Sequence, residues 1–433
     1  MKFRLERAIH ARTSCDCVVH RRDFLRLAAA TGVAAGATSW TDAIRLSADE
    51  LRERGMSCIL LWMAGGPSQF ETFSPKPGHE NGGETKAIPT AVPGIQIADT
   101  LPHCADVMKE MAIIRSMTSK EGSHPRASFL LHHGYLPMGG VKFPTLGSNV
   151  AHEIGDPKSD LPNFVRIGGR SADLGGAGFL GVDFEPFALQ NPERGPENTE
   201  PATPDGRYTR RLALLDKMEI DFGADEGEDV VADHRKWIKK SADMIRSPRM
   251  VAFDIEKESD RMRDAYGRTP FGSGCLLARR LVQAGVTFVE VNHNGWDTHD
   301  DNFNRTSALN STIDQPMAQL IVDLRQRGML DRTLVIWMGE FGRTPRINPR
   351  SGRDHYPRAF NVALAGGGVR GGQVIGETGP GGEEVKDRPV VVNDLFRTVY
   401  KTLGIDASRE NMSRIGRPIK LVDGGEVISE LLG

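Results

Sequence analysis

The stretch VTFVEVNHNGWDTHDDNF, residues 286–303, joins an apolar run to a crowd of metal-compatible side chains. VTFVEV reads as a buried strand. The ten residues from Asn294 to Phe303 then hold three aspartates, a histidine and two asparagines. A long amphipathic helix follows at about 304–328. Strand, polar loop and helix in that order make a βα unit, and such units imply a parallel sheet with its ligand site beyond the carboxyl ends of its strands.

The same alternation runs through most of the chain. SCILLWMAGG (57–66) is a continuous apolar run ending in Gly-Gly, which predicts a buried parallel strand leading into a loop. CADVMKEM predicts a helix, AIIRSM the next strand, and RASFLLHHG a short helix stopped by Gly134. Residues 180–206 are rich in Pro, Gly and Glu and predict a long loop. From about 208 to 268 the pattern is helical and charged, and predicts an inserted helical segment. GCLLARRLVQAG, TLVIWMG, FNVALAGGG and VNDLFRTVYKTLGI read as helix, strand, strand and helix. The expected fold is therefore α/β, with a mostly parallel sheet covered on both faces.

The 433 residues suffice for one large domain with insertions or two ordinary ones. A hydrophobic content of 39% and a charged content of 26% fit an ordinary soluble chain. The formal net charge of −2 gives no global field to attract nucleic acid or an anionic membrane. The five cysteines, at 15, 17, 58, 104 and 275, form no repeated CxxC pattern, and neither a disulfide framework nor a thiolate zinc site is expected. HRRDFLRLAAATGVAAGATSW, residues 20–40, has twin arginines followed by a mild apolar stretch too short and weak to span a membrane. It resembles a twin-arginine export signal, so residues 1–50 are read as signal and extension, and the protein as periplasmic or extracellular. That route carries proteins already folded, which suits a chain that must load a metal or cofactor inside the cell. An amphipathic N-terminal helix is the plainer alternative.

Several polar clusters follow expected strand ends. Asp297 and His299 are two apart, so extended backbone puts them on one side. A carboxylate with an imidazole suits zinc, manganese or iron better than calcium, while Asp300 or Asp301 could cap the following helix. Glu340 ends an apolar strand and needs a ligand or a partner, for which Arg343 is near. Asp354 and His355 sit in a Gly/Arg/Pro-rich loop, as further ligands or as loop residues. Glu71 follows the Gly65–Gly66 turn and is a further carboxylate candidate, with Ser68 and Gln69 close in sequence. In GSHPR, Ser123 is either a nucleophile or a helix cap, His124 could serve as catalyst or ligand, and Arg126 could clamp an oxyanion. His132 and His133 are expected at the helix end.

Taken in order, LLWMAGGPSQFETFSPKP, GWDTHDDN, TLVIWMGEFGRTP, GRDHYP, GGQVIGETG and VNDLFRTVYKTLGI identify residues 55–430 as resembling the domain-of-unknown-function 1501 family. Such families resemble the alkaline phosphatase and sulfatase superfamily. That resemblance implies a doubly wound α/β core, two divalent metals, and hydrolysis of phosphate or sulfate esters through a Ser, Thr or formylglycine nucleophile. It implies metal roles for Glu71, Asp297, His299, Glu340 and His355 and a nucleophile near Ser123; the reading of the residues themselves adds Asp354 to the candidate ligands and His124, Arg126 and Arg343 to the candidate catalytic groups. Phe341 stands where the superfamily motif has histidine, and the Cys needed for formylglycine is missing near Ser123. The expectation is an exported hydrolase-like protein using zinc, manganese or calcium on an anionic ester, such as a sulfated or phosphorylated glycan. A non-catalytic metal-containing binding protein on the same scaffold is the alternative.

Overall fold

A computed structural model describes residues 11–12, 18–19, 55–169, 174–199, 203, 205–226 and 228–432. The chain divides into two units, Met1–Glu50 and Leu51–Gly433. In the first, Ala11–Arg12 pairs antiparallel with Val18–Val19; the twin-arginine stretch at 20–40 lies outside the described residues. Among those described, no helix is long and apolar enough to cross a membrane.

The second unit is built on a nine-stranded sheet. Its strands are β1 (Ser57–Ala64), β2 (Met111–Thr118), β3 (Phe164–Ile167), β4 (Phe187–Leu189), β5 (Phe288–Asn294), β6 (Thr333–Met338), β7 (Phe360–Ala365), β8 (Gln373–Ile375) and β9 (Val390–Val391). The spatial order is β8-β2-β7-β6-β1-β5-β3-β4, with β9 also beside β2. Only β7 runs against its neighbours, pairing antiparallel with both β6 and β2. The expected mixed α/β fold with a mostly parallel sheet is what forms.

Burial on both faces explains the unbroken apolar runs. Along β1, Ile59, Leu61 and Met63 enter one core, and Cys58, Leu60 and Trp62 enter the other. The longer helices among the described residues are α1 (His124–His133), α2 (Leu146–Ile154), α3 (Asp205–Glu226), α4 (Glu228–Arg246), α5 (Pro270–Gln283), α6 (Asn302–Gln326) and α7 (Val392–Thr402). The first core takes Leu277 and Leu281 of α5 and Ile313, Met317 and Leu320 of α6. The second takes Leu131 of α1, Val150 of α2 and Phe396 and Tyr400 of α7. Two opposed helical layers on one sheet make the fold doubly wound.

Local departures from the sequence reading have simple causes. CADVMKEM divides between a short α-helix, Pro102–Asp106, and a 3-10 turn, Met108–Glu110, instead of forming one continuous helix. The expected 180–206 loop contributes β4, an edge strand of three residues with no room to display a period of two. The 208–268 insertion holds α3 and α4 as a hairpin, then shorter turns. Gly134 ends α1 at φ 70°, as expected of a glycine stop. Asp301 occupies the N-cap position of α6, but its carboxylate accepts from Asn304 instead of capping.

Candidate metal centre

Strands β1, β5 and β6 lie side by side, and their carboxyl ends carry Gly65–Gly66, the Asp297 loop and Glu340. From across β7, the segment after β2 brings His124 as the first residue of α1. A two-residue ribbon pairs Arg343 with His355, so the β6–β7 connection folds back over the same rim.

Three imidazoles surround one carboxylate oxygen. Oδ1 of Asp297 lies 3.4 Å from His124 Nε2, 3.1 Å from His299 Nε2 and 3.3 Å from His355 Nε2. His124, Asp297 and His355 each offer a donor atom within 4.8 Å of the other two. His299 joins along the Asp297–His355 edge, its Nε2 2.9 Å from His355 Nε2.

The other ring nitrogens fix the tautomers. Nδ1 of His124 faces the Glu340 carboxylate at 2.6 Å, Nδ1 of His355 the Gly122 carbonyl at 2.8 Å, and Nδ1 of His299 the Asp354 carboxylate at 2.8 Å. Each of those partners accepts, so each Nδ1 carries the proton and each Nε2 presents a lone pair inward. Two lone pairs 2.9 Å apart repel unless a proton or cation lies between them. The Nε2 of His124 is closed to solvent and has no hydrogen-bond partner among the described residues. Inward Nε2 atoms backed by outer acceptors are how metal-binding histidines are held. In a tetrahedral zinc site with bonds of about 2.0–2.1 Å, neighbouring donors stand about 3.3 Å apart, close to the separations around Asp297. The donor set therefore fits a divalent cation. Its nitrogen content suits zinc or manganese better than calcium, which takes six to eight oxygens.

The electrostatics agree. Burial pushes the Asp297 carboxyl up, but Arg343, His124 and His299 outweigh it and hold it at about 2. The Glu340 hydrogen bond raises the pKa of His124. Burial lowers that of His355.

Several residues take roles other than those expected. Glu71 does not join the cluster: it is buried against Arg353, whose guanidinium lies 2.8 Å away. Glu340 sits behind His124 and accepts from the Gly65 N–H at 3.0 Å, so it orients the His124 ring and stands outside the candidate triad. Asp354 does the same for His299. His124, expected among catalytic groups, stands with Asp297 and His355 in the candidate metal triad. Arg343 is fully buried and cannot clamp a substrate; it donates to the carbonyls of Gly65, Gly66, Trp296 and Arg353 and to Asp297 at 2.6 Å. Arg126 turns to Glu121 at 2.7 Å. Ser123 is exposed at the N-cap of α1 and makes no capping bond. His132 and His133 are buried, with Glu290 beside the former.

Two features escaped the sequence reading. The Gly122 carbonyl sets the His355 tautomer, and no side-chain pattern announces a carbonyl. Phe341 is not merely a missing imidazole: its ring packs under His355 at 4.5 Å and beside His124 at 4.9 Å, walling off one side. Gly65, at φ 118°, passes so close to the Asp297 loop that a Cβ would lie 2.5 Å from the Asp297 nitrogen.

Fold and site together define a doubly wound α/β protein with a histidine-rich candidate metal centre at the carboxyl rim of its sheet. The chain belongs to the DUF1501 family, described as "Protein of unknown function", whose model matches residues 56–432. Among curated proteins, none matches this chain. Similar solved structures include the PsFucS1 sulfatase from Pseudoalteromonas sp., at TM-score 0.38 and 12% identity over 86% of this chain and 72% of that one. The lipoteichoic acid synthase LtaP from Listeria monocytogenes gives TM-score 0.39 and 9% identity over 87% and 80%. A protein in the alkaline phosphatase superfamily from Vibrio parahaemolyticus gives TM-score 0.38 and 10% identity over 84% and 76%.

Proposed function

We propose that this protein is an exported, metal-dependent hydrolase of phosphate or sulfate esters, with glycans bearing such groups as its substrate class. The observation that carries the reading is the inward convergence of three Nε2 lone pairs on the Asp297 carboxylate. His124, Asp297 and His355 would hold the cation, with His299 adjoining. Zinc and manganese suit this mixed nitrogen and oxygen set. A bound divalent cation supplies Lewis acidity toward a phosphoryl or sulfuryl oxygen. Glu340 and Asp354 keep two of the rings in the tautomer that binds, while Arg343 holds Asp297 in place. Phe341 keeps water from the underside of the rings. Ser123, exposed one residue before His124 and with no side-chain capping bond among the described residues, is the candidate nucleophile. The twin-arginine stretch supports export after folding.

Elemental analysis of protein purified without chelator, followed by assays on aryl phosphate and aryl sulfate with added Zn²⁺ or Mn²⁺, tests the reading. About one metal per chain with turnover that falls in Ser123→Ala supports it. No metal in the purified chain and none taken up on addition overturns it. A metal-containing protein without turnover supports the second reading, a binding protein on the same scaffold. One observation favours that alternative: Arg343 is fully engaged by backbone carbonyls and Asp297, and Arg126 faces Glu121. Neither arginine is free to meet the charge of an oxyanion.

A further inference from the structure

At the rim of the sheet opposite the metal centre, five charged side chains form a ladder. Arg280 Nη1 lies 2.6 Å from Glu258 Oε1, and Arg279 Nη2 lies 2.7 Å from the same oxygen. Arg279 Nε then meets Asp323 Oδ2 at 2.9 Å, and Arg327 Nε meets Asp323 Oδ1 at 2.6 Å. Arg279 and Asp323 are buried, and the Tyr266 hydroxyl donates to Asp323 at 3.0 Å. Three guanidinium groups therefore share two carboxylates, and these three arginines form no other ion pair among the described residues. The ladder carries one positive charge in excess. Gln283 ends α5 beside it, and a helix end offsets only about half a charge. Arg249, on the next wall, is already matched by Asp160 and leaves the count unchanged.

This surplus borders a cleft of about 440 Å³, lined in part by Arg249, Glu258, Arg279, Arg280, Gln283 and Arg327. That volume lies within the range of small-molecule sites. Arg327 gives its Nε to Asp323, and its two Nη atoms have no partner among the described residues. An open guanidinium edge takes two oxygens of one oxyanion side by side. Groups suited to hydroxyls stand next to it. Both ion pairs of Glu258 fall on Oε1, which leaves Oε2 to accept. Gln283 accepts from Arg279 through Oε1 at 2.8 Å, and its amide N–H groups have no partner among the described residues.

We propose that this cleft binds a hydroxylated small molecule carrying one oxyanion: a sugar sulfate, a sugar phosphate or a sugar acid. Arg327 takes the oxyanion, and Glu258 and Gln283 take neighbouring hydroxyls. Gln283 precedes β5 and Asp297 follows it, and a strand of seven residues spans roughly 20 Å. The site is thus separate from the metal centre. It needs no cation, and it stands whether or not the chain is a hydrolase.

The test is titration calorimetry of the full chain at low ionic strength. The probes are glucose 6-sulfate, glucose 6-phosphate, glucuronate, inorganic sulfate and glucose. At least one acidic sugar should bind saturably at one per chain, and comparison of the three identifies the preferred oxyanion. Inorganic sulfate should bind more weakly than that sugar, and glucose should not bind. R327Q should weaken the acidic sugar roughly tenfold or more. E258Q raises the surplus charge and should tighten inorganic sulfate. A merely structural role would not move the two variants in opposite directions. Circular dichroism and urea midpoints check folding. Should R327Q not fold, R327K carries the test: it keeps the charge, loses the fork and should bind less tightly than wild type. Treatment with a chelator should leave the affinity unchanged. Failure of all three acidic sugars to bind overturns the proposal. So does an affinity that neither arginine variant alters, equal binding of glucose, or binding abolished by the chelator.

Discussion

Glu340 Oε1 lies 2.6 Å from His124 Nδ1, and that contact aims the far side of the ring at Asp297. The carboxylate is buried and also takes the Gly65 N–H, so its own orientation is fixed from the backbone. It sets a tautomer without touching the position a cation would take.

Replacing Glu340 with Gln keeps the shape but removes the charge that stabilises the Nδ1 proton. Metal affinity should fall by about 10- to 100-fold, as for other partners of ligating histidines. Competition with a chromogenic chelator measures it. His124→Ala and His355→Ala should lose more than Glu340→Gln. An unchanged affinity in Glu340→Gln would refute the orienting role.

Glu71 separates structural from ligand carboxylates. Arg353 is fully buried, so Glu71→Ala leaves a guanidinium without its counter-charge. The expected cost is about 3–5 kcal/mol of folding stability, with bound metal per folded chain unchanged. Urea titration and elemental analysis read the two quantities. Loss of metal without loss of stability would place Glu71 among the ligands after all.

Arg343→Lys tests the fork. One guanidinium serves four carbonyls and Asp297, whereas an ammonium has three donors and no planar fan. Each buried carbonyl left unpaired costs about 1–3 kcal/mol. The variant should therefore lose both stability and metal affinity. If only stability falls, Asp297 is held in place by something other than Arg343.

Two buried histidines set an acid limb. Burial lowers His133 from 6.5 to about 3 and His293 from 6.5 to about 4. The unfolded chain protonates both below 6.5 while the folded chain does not, so their stabilisation is complete above 6.5. It is lost as pH falls toward 4 and then 3. His124, raised in the fold, contributes stability that is already complete below 6.5 and adds no slope there. Urea midpoints between pH 7 and 4 should fall steadily. His133→Gln should remove up to one proton of that slope, about 1.4 kcal/mol per pH unit at most. A level profile from pH 7 to pH 5 would contradict this assignment.

Much of the fold was legible because strands buried on both faces leave long apolar runs, as in β1 and β6. The β4 edge strand was hidden by its brevity. At the site, Asp297, His299 and His355 could be recognised as polar groups placed just past strands. Their partners could not. GEFGRTP and GRDHYP each hold one arginine, and nothing local says that Arg353 takes Glu71 while Arg343 takes Asp297. Carboxylates at strand ends announce that a partner is needed. Which carboxylate binds and which one orients depends on contacts across hundreds of residues.

The reversed strand β7 has an evolutionary corollary. Because it starts at the rim where its neighbours finish, the β6–β7 connection both leaves and re-enters on that side. Glu340, Phe341, Arg343, Arg353, Asp354 and His355 all belong to this one connection, so half of the centre travels as a contiguous cassette. A single recombination or insertion event there could retune the centre while the strand order beneath it stayed untouched.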